Sequence, residues 1–268
     1  MIDYLTGGNG FVGKNLNKRL NATLIPHSKL STIKLEDFSR FFYLASYGNL
    51  IEHDDGPDGT AKVVKANVTD LCHILDQVVR LKFKSFVFMS TSSVKLRVQT
   101  TYSRCKKAAE EILLAYREKY HVQIIIVRPT TIYGLHEQPQ HLIPTILRSC
   151  FKGEKMNFVK EPVHDYIFVE DVVDGLINLS ENQAGGIFEL GTGIQTSNQE
   201  ILDIIENLTG KKANINIVSS MRSYDSRNWV SQNFRARAWG WLPKVNLKEG
   251  LKLVVEDYIK NPNNYDVR

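Results

Sequence analysis

Residues 6–13 read Thr6-Gly7-Gly8-Asn9-Gly10-Phe11-Val12-Gly13, directly after the apolar run Ile2–Thr6 and ahead of a helical pattern through about Leu20. Strand, glycine turn and helix in that order form the first unit of a dinucleotide-binding fold. The glycines permit a tight turn and close backbone approach to a pyrophosphate. The helix N-terminus then offers that anion free N–H groups and a favourable dipole. Gly7, Asn9, Gly10, Phe11, Val12 and Gly13 are therefore candidate cofactor-binding residues. A plain glycine-rich turn is the competing reading, but four glycines at this spacing have few other uses.

Outward from the turn, short apolar runs at 22–26, 41–45, 86–89 and 123–127 read as strands, and 67–81 and 102–120 as helices. Strands apolar on both faces, alternating with helices, predict a parallel sheet covered on both sides. The expected fold is α/β: a Rossmann-type doubly wound parallel sheet with a smaller C-terminal α/β substrate lobe. Past Gly134 the elements shorten, punctuated by Pro139, Pro144 and Pro162. Ser197 followed by Glu200 is a capping box opening a helix to about Leu208. A strand is expected at 214–218 and an amphipathic helix at 247–259. Residues 1–134 are assigned mainly to the dinucleotide domain and 135–268 mainly to the substrate lobe, interleaved with it.

Composition narrows the classes. The chain has 268 residues, 43% hydrophobic and 24% charged, with net charge +5. That charge suits an anionic small substrate, and no like-charge run favours a nucleic-acid partner. No apolar run approaches a membrane span, so no membrane partner is expected. Cys72, Cys105 and Cys150 lie far apart without metal-ligand spacing, so no metal is expected and a reducing, cytoplasmic compartment is the simplest reading. The N-terminus opens directly into the first strand, with no signal peptide expected ahead of it.

The end of the second strand bears on cofactor choice. An NAD site usually places Asp or Glu there for the ribose 2′-hydroxyl. Here the residues are Ile25-Pro26-His27-Ser28-Lys29. A hydroxyl and a cation suit a 2′-phosphate, which favours NADP(H) over NAD(H). A solvated loop is the alternative for His27, Ser28 and Lys29, and Glu36 and Asp37 are alternative ribose partners.

Tyr102 and Lys106 stand at i and i+4 on a predicted helix and share one face. Free tyrosine has a pKa near ~10, too high for a base at neutral pH, and a neighbouring ammonium lowers it. Lysine also reaches a nicotinamide ribose, while the tyrosine exchanges a proton with a substrate oxygen as hydride moves. A hydroxyl must hold that oxygen. The run Ser90-Thr91-Ser92-Ser93 ends the strand 86–89, and ligands sit at such strand ends. Tyr102 as a mere amphipathic core residue is the bland alternative.

With these motifs in order, the chain resembles an extended short-chain dehydrogenase/reductase of the NAD-dependent epimerase/dehydratase family, whose members act on nucleotide sugars. The resemblance spans nearly the whole chain. It rests on residues 6–13, on Phe42-Tyr43-Leu44-Ala45-Ser46, on Asn67-Val68-Thr69, on Met89-Ser90-Thr91 and on Arg128-Pro129-Thr130-Thr131-Ile132-Tyr133-Gly134. Further along, residues 164–171, Glu189-Leu190-Gly191-Thr192-Gly193 and Trp239-Gly240-Trp241-Leu242-Pro243 resemble the family's substrate-lobe signatures and its Gly-Trp-x-Pro close. The resemblance implies catalysis by Thr91, Tyr102 and Lys106. It adds Leu44, Ala45, Ser46, Asn67 and Pro129 to the cofactor site, with Tyr102 and Lys106. It implies a nucleotide-sugar substrate held by Ser46, Thr91, Thr131, Leu142, Ile143, Arg222 and Arg227, and a homodimer through the helices 67–81 and 102–120. His164 stands where the family usually has arginine and is read as a structural hydrogen-bonding residue. His136 is read as a solvated loop histidine.

The departures sharpen the expected activity. Family dehydratases carry Asp-Glu after the catalytic threonine, whereas Ser92-Ser93 stands here, and hydroxyls do not replace a carboxylic acid. The stretch from Thr91 to Tyr102 is short, and one strand–helix unit before Phe41 is trimmed, as in small nucleotide-sugar 4-ketoreductases. The expected activity is NADPH-dependent reduction of a 4-keto nucleotide sugar. A 4-epimerase with tightly bound NAD is the alternative within the class, and a non-catalytic dinucleotide-sensing regulator is the alternative outside it.

Overall fold

The computed structural model describes residues 1–48, 57–219, 226 and 228–267. Six parallel strands form the central sheet: β1 (Ile2–Thr6), β2 (Thr23–Ile25), β3 (Phe38–Tyr43), β4 (Ser85–Met89), β5 (Ile124–Pro129) and, far along the chain, β9 (Gly186–Leu190). Their order is β2-β1-β3-β4-β5-β9. The chain winds away from β1 in both directions, so the carboxyl ends of β1 and its neighbours form the cleft where such sheets take ligands.

Side chains alternate across each strand and feed two separate cores. Phe38, Phe41, Tyr43, Phe86, Phe88, Ile124 and Ile126 face one side, where helices α3 (Asp70–Val78) and α4 (Thr101–Tyr120) cover them with Leu71, Ile74, Leu75, Ala109 and Leu113. Phe41 and Phe86 stack at 5.0 Å. Phe42, Val87, Ile125 and Val127 face the other side, under Val12 and Leu16 of α1 (Phe11–Leu20) and Val172, Val173 and Leu176 of α6 (Val169–Glu181). Both faces are dry, as the unbroken apolar strands predict.

Between β2 and β3 the chain makes only a 3₁₀ turn, His27–Lys29, and no strand, which leaves β2 on the sheet edge. This is the trimmed strand–helix unit. The helix expected over 67–81 begins earlier. α2 (Pro57–Val64) runs through a π-helical turn, Lys65–Thr69, into α3.

A second body is built on β6 (Thr131–Tyr133), α5 (Leu142–Lys152), β7 (Met156–Phe158), β8 (Val163–Phe168), β10 (Gln195–Ser197), α7 (Asn198–Thr209), β11 (Ile215–Ile217) and α9 (Leu247–Lys260), while α8 (Phe234–Ala238) packs against β9 and puts Ala236 into the core beneath α1 and α6. β8 lies between β10, antiparallel, and β6, parallel, while β11 pairs with β7. Ile143, Ile146, Leu147, Ile201, Ile205, Leu251 and Val254 form its core. The capping box is present in full: Ser197 accepts from the Glu200 backbone, and Glu200 accepts from the Ser197 backbone. No helix among the described residues is long and apolar enough to cross a membrane.

Candidate active site

The glycine turn closes on itself. Gly10 N–H donates to Gly7 O at 2.9 Å, and Gly7 adopts φ +72°. A Cβ on Gly7 would lie 2.7 Å from the Leu44 carbonyl carbon, and one on Gly13 would lie 2.0 Å from Gly7 O. Thr6, fully buried, accepts the N–H groups of Leu44 and Ala45 at 3.0 Å, joining the ends of β1 and β3. α1 begins at Phe11 with no side-chain cap at Gly10 and no acid in its first turn. Its first N–H groups are left for an anion. Those features fit a dinucleotide pyrophosphate. Val12 and Gly13 are buried in the turn's support, while Asn9 and Gly10 are exposed at its rim.

Thr91, Tyr102 and Lys106 assemble at the carboxyl end of β4. Thr91 caps the 3₁₀ turn Ser92–Lys95. It accepts from Ser93 N–H and donates to Ser93 Oγ, both at 3.1 Å. Ser93 Oγ lies 2.8 Å from Ser103 Oγ on α4, which ties the turn carrying Thr91 to the helix carrying Tyr102 and Lys106. Ser90 Oγ, buried beside Thr91, has no hydrogen-bond partner among the described residues. Lys106 is 1% exposed and donates to Met89 O at 3.0 Å, with its Nζ 4.7 Å from the Phe88 ring centroid and 5.9 Å from that of Tyr102.

The charges differ from the simple tyrosine–lysine expectation. Burial lowers the Lys106 ammonium to about 7, opposed by Glu110 and Cys105. Burial pushes the Tyr102 phenol up to about 12, opposed by a hydrogen bond with Ser46. Of the groups around the Tyr102 phenol, Ser46 and not Lys106 opposes the rise. Glu110, one helical turn beyond Lys106 on α4, grips Arg128 of β5 through two bonds at 2.9 and 2.5 Å. The i+4 spacing from Lys106 was a signal for Glu110 that the sequence reading passed over.

The titration of Lys106 has a measurable consequence. Its folded pKa lies below the unfolded value, so between about pH 7 and pH 10 the unfolded chain binds a proton that the folded chain does not. Wild-type stability should therefore rise over that window relative to Lys106→Met, by on the order of 4 kcal/mol. Urea unfolding of both proteins across the window checks this. Parallel stability curves would mean that Lys106 keeps an ordinary pKa in its buried site.

Around this centre, Ser46 Oγ donates to Asn67 Oδ1 at 2.7 Å, and Asn67 Nδ2 donates to Tyr47 O and Val63 O. Asn67 occupies the π-helical turn, whose extra width seats a buried amide against the loop after β3. Pro129 ends β5, and Thr131 Oγ1 lies 3.1 Å from His164 Nδ1. His164 also packs at 4.9 Å on Trp229, whose indole N–H donates to Ser92 Oγ at 2.8 Å. Trp229 had no local sequence signal. His136 is not simply solvated, since Lys18 Nζ lies 3.0 Å from its Nε2.

The remaining candidates are spread more widely. Ile143 is a core residue of the second body at the start of α5, and Leu142 packs against the same core, so only their backbone is available to a ligand. His27, Ser28 and Lys29 are exposed just past β2. Asp37 is excluded as a ribose partner. Its carboxylate accepts from Lys82 N–H at the amino end of β3, opposite the glycine turn, and Glu36 lies at that same end. Arg222 and Arg227 lie outside the described residues.

Comparison with known proteins agrees with this architecture. Agl12, a low-salt glycan biosynthesis protein of Haloferax volcanii, is 24% identical over 95% of this chain and 97% of its own length. A UDP-glucuronate 4-epimerase of Thermodesulfobacterium geofontis is 26% identical over 72% of this chain and 64% of the epimerase. The structure of MoeE5 in complex with UDP-glucose and NAD superposes with a TM-score of 0.86 at 22% identity, covering 98% of this chain and all of that one. The model of the NAD dependent epimerase/dehydratase family matches residues 42–191, from the end of β3 through Thr91, Tyr102 and Lys106 to just past β9. With the glycine turn ahead of that span and the three catalytic candidates inside it, the chain belongs to the NAD-dependent epimerase/dehydratase family of enzymes.

Proposed function

We propose that this enzyme reduces a 4-keto nucleotide sugar with NADPH. The observation that carries the reading is the pair following Thr91. Ser92 accepts the Trp229 indole, Ser93 is bound to Thr91 and Ser103, and neither supplies the acid needed to expel water. What remains is Thr91 to hold the ketone oxygen and Tyr102 to protonate it. A phenol that burial keeps protonated well above neutral pH suits the donor role. Lys106, Asn67, Ser46 and Pro129 border the same cleft, and Lys106 orients the ribose end of the nicotinamide half. When bound, the nicotinamide supplies or accepts hydride at the sugar carbon. Exposed His27, Ser28 and Lys29, with no carboxylate following β2, support NADP(H).

Residues 1–134 serve mainly the cofactor and 135–268 mainly the sugar nucleotide. Thr131 and the backbone at Leu142 and Ile143 lie on the substrate side, with Arg222 and Arg227 assigned to the diphosphate. A homodimer through the helices 67–81 and 102–120, in the cytoplasm, belongs to the same proposal, and sedimentation equilibrium tests the dimer. The 4-epimerase reading is favoured by the epimerase relative, and it requires NAD that is retained through the cycle.

The deciding experiment presents purified enzyme with NADPH and a 4-keto nucleoside-diphosphate hexose. Stoichiometric loss of NADPH with formation of the 4-hydroxy sugar is expected. Co-purifying NAD, with interconversion of two 4-epimers and no net cofactor consumption, would replace the reductase with the epimerase.

A further inference from the structure

The strand end after β2 lacks the carboxylate that usually receives the adenosine half of a dinucleotide. The fold brings one there from elsewhere. Because no strand intervenes between β2 and β3, the turn His27–Lys29 lies beside the helical run that follows β3. Asp70, the first residue of α3, comes to 3.4 Å from His27 Nε2 through Oδ2. Its side chain is 1% exposed. Oδ1 is held by Lys65 Nζ at 2.5 Å, but Oδ2 accepts no hydrogen bond from any described residue.

A buried carboxylate oxygen without a donor is costly, on the order of 1–3 kcal/mol or more. Native structures leave few such groups without a ligand, water or functional reason. Lys65 Nζ and the His27 ring both lie beside this carboxylate, which offsets its charge toward the cofactor phosphates. His27 is 52% exposed and has room to move aside.

We infer that Asp70 supplies the adenosine-side acceptor that β2 lacks. Its Oδ2 receives an N–H or O–H donor of the adenosine half: either the exocyclic amine of adenine, which is compatible with NADP(H), or the ribose 2′-hydroxyl, which would replace NADP(H) with NAD(H) as the cofactor. Asp70 is thereby a cofactor-binding residue contributed by helix α3 instead of by the second strand. The inference rests on the dinucleotide reading of the glycine turn.

The test is a binding series, read by calorimetry, on wild type and Asp70→Asn with NAD, NADP, nicotinamide hypoxanthine dinucleotide and 2′-deoxy-NAD. The hypoxanthine analogue lacks the amine, and the deoxy analogue lacks the hydroxyl. Wild type should bind one of the two analogues about ten-fold more weakly than NAD. In Asp70→Asn that discrimination should vanish and NAD affinity should fall by a similar factor. Loss against the hypoxanthine analogue assigns the amine. Loss against the deoxy analogue assigns the ribose, and Asp70→Asn should then gain in preference for NADP.

Wild type indifferent to both analogues overturns the inference, whether or not Asp70→Asn folds, while leaving the dinucleotide reading intact. Asp70→Asn binding NAD and NADP as wild type does overturns it equally. Wild type binding none of the four ligands removes the dinucleotide reading and the inference together.

Discussion

Tyr102→Phe is expected to lower kcat by about 10²–10⁴-fold while leaving cofactor affinity and fold nearly unchanged. The ring stays, so packing beside Lys106 and the carboxyl end of β4 is preserved, and only the hydroxyl is lost. That hydroxyl is the group proposed to give its proton to the ketone oxygen. Burial raises it to about 12 and Ser46 opposes the rise, so it is a proton donor across the physiological range. Removing it leaves Thr91 to hold the oxygen without a proton source. Steady-state kinetics with thermal unfolding of the same preparations checks this. A variant that folds, binds dinucleotide and turns over at the wild-type rate would exclude Tyr102 as the acid.

Gly13→Ala is expected to reduce dinucleotide affinity by about 100-fold or more and to cost roughly 1–3 kcal/mol of stability. The methyl would lie 2.0 Å from Gly7 O, 2.8 Å from Gly7 C and 2.9 Å from Gly8 Cα. All three are backbone atoms of the turn itself, so no side chain can swing away. Either the turn opens or α1 shifts along β1, and both displace the N–H groups that face the pyrophosphate. Val12 and Leu16, packed in the core beneath, resist the second route. Gly59→Ala in α2 is the control, since its Cβ meets nothing within 4 Å and it lies outside the turn. Fluorescence titration with NADH and NADPH measures the effect. Wild-type affinity in Gly13→Ala would move the anion site away from this turn.

Much of this was readable along the chain because the signals were local. The glycine turn, the apolar strands, the Ser197 capping box and the Tyr102–Lys106 spacing each act within a few residues. Helix and strand geometry convert such spacings directly into shared faces and turns. The helix expected from Asn67 extends back through Pro57–Val64, a stretch without an apolar stripe long enough to announce it.

What lay beyond the sequence depends on closure of the sheet. Trp229 reaches Ser92 across 137 residues of chain, and His27 meets Asp70 only because a strand is missing between β2 and β3. The pKa values of Tyr102 and Lys106 belong to the same class. Residue type and i+4 spacing put them on one helix face, but burial against the end of β4 sets which of them carries charge. The sequence by itself determined the parallel α/β fold and the glycine turn after β1, and pointed to Thr91, Tyr102 and Lys106 as the proposed reacting groups. Only the tertiary structure decided their desolvation and their distant partners, because both depend on which surfaces the folded sheet and second body bring into contact.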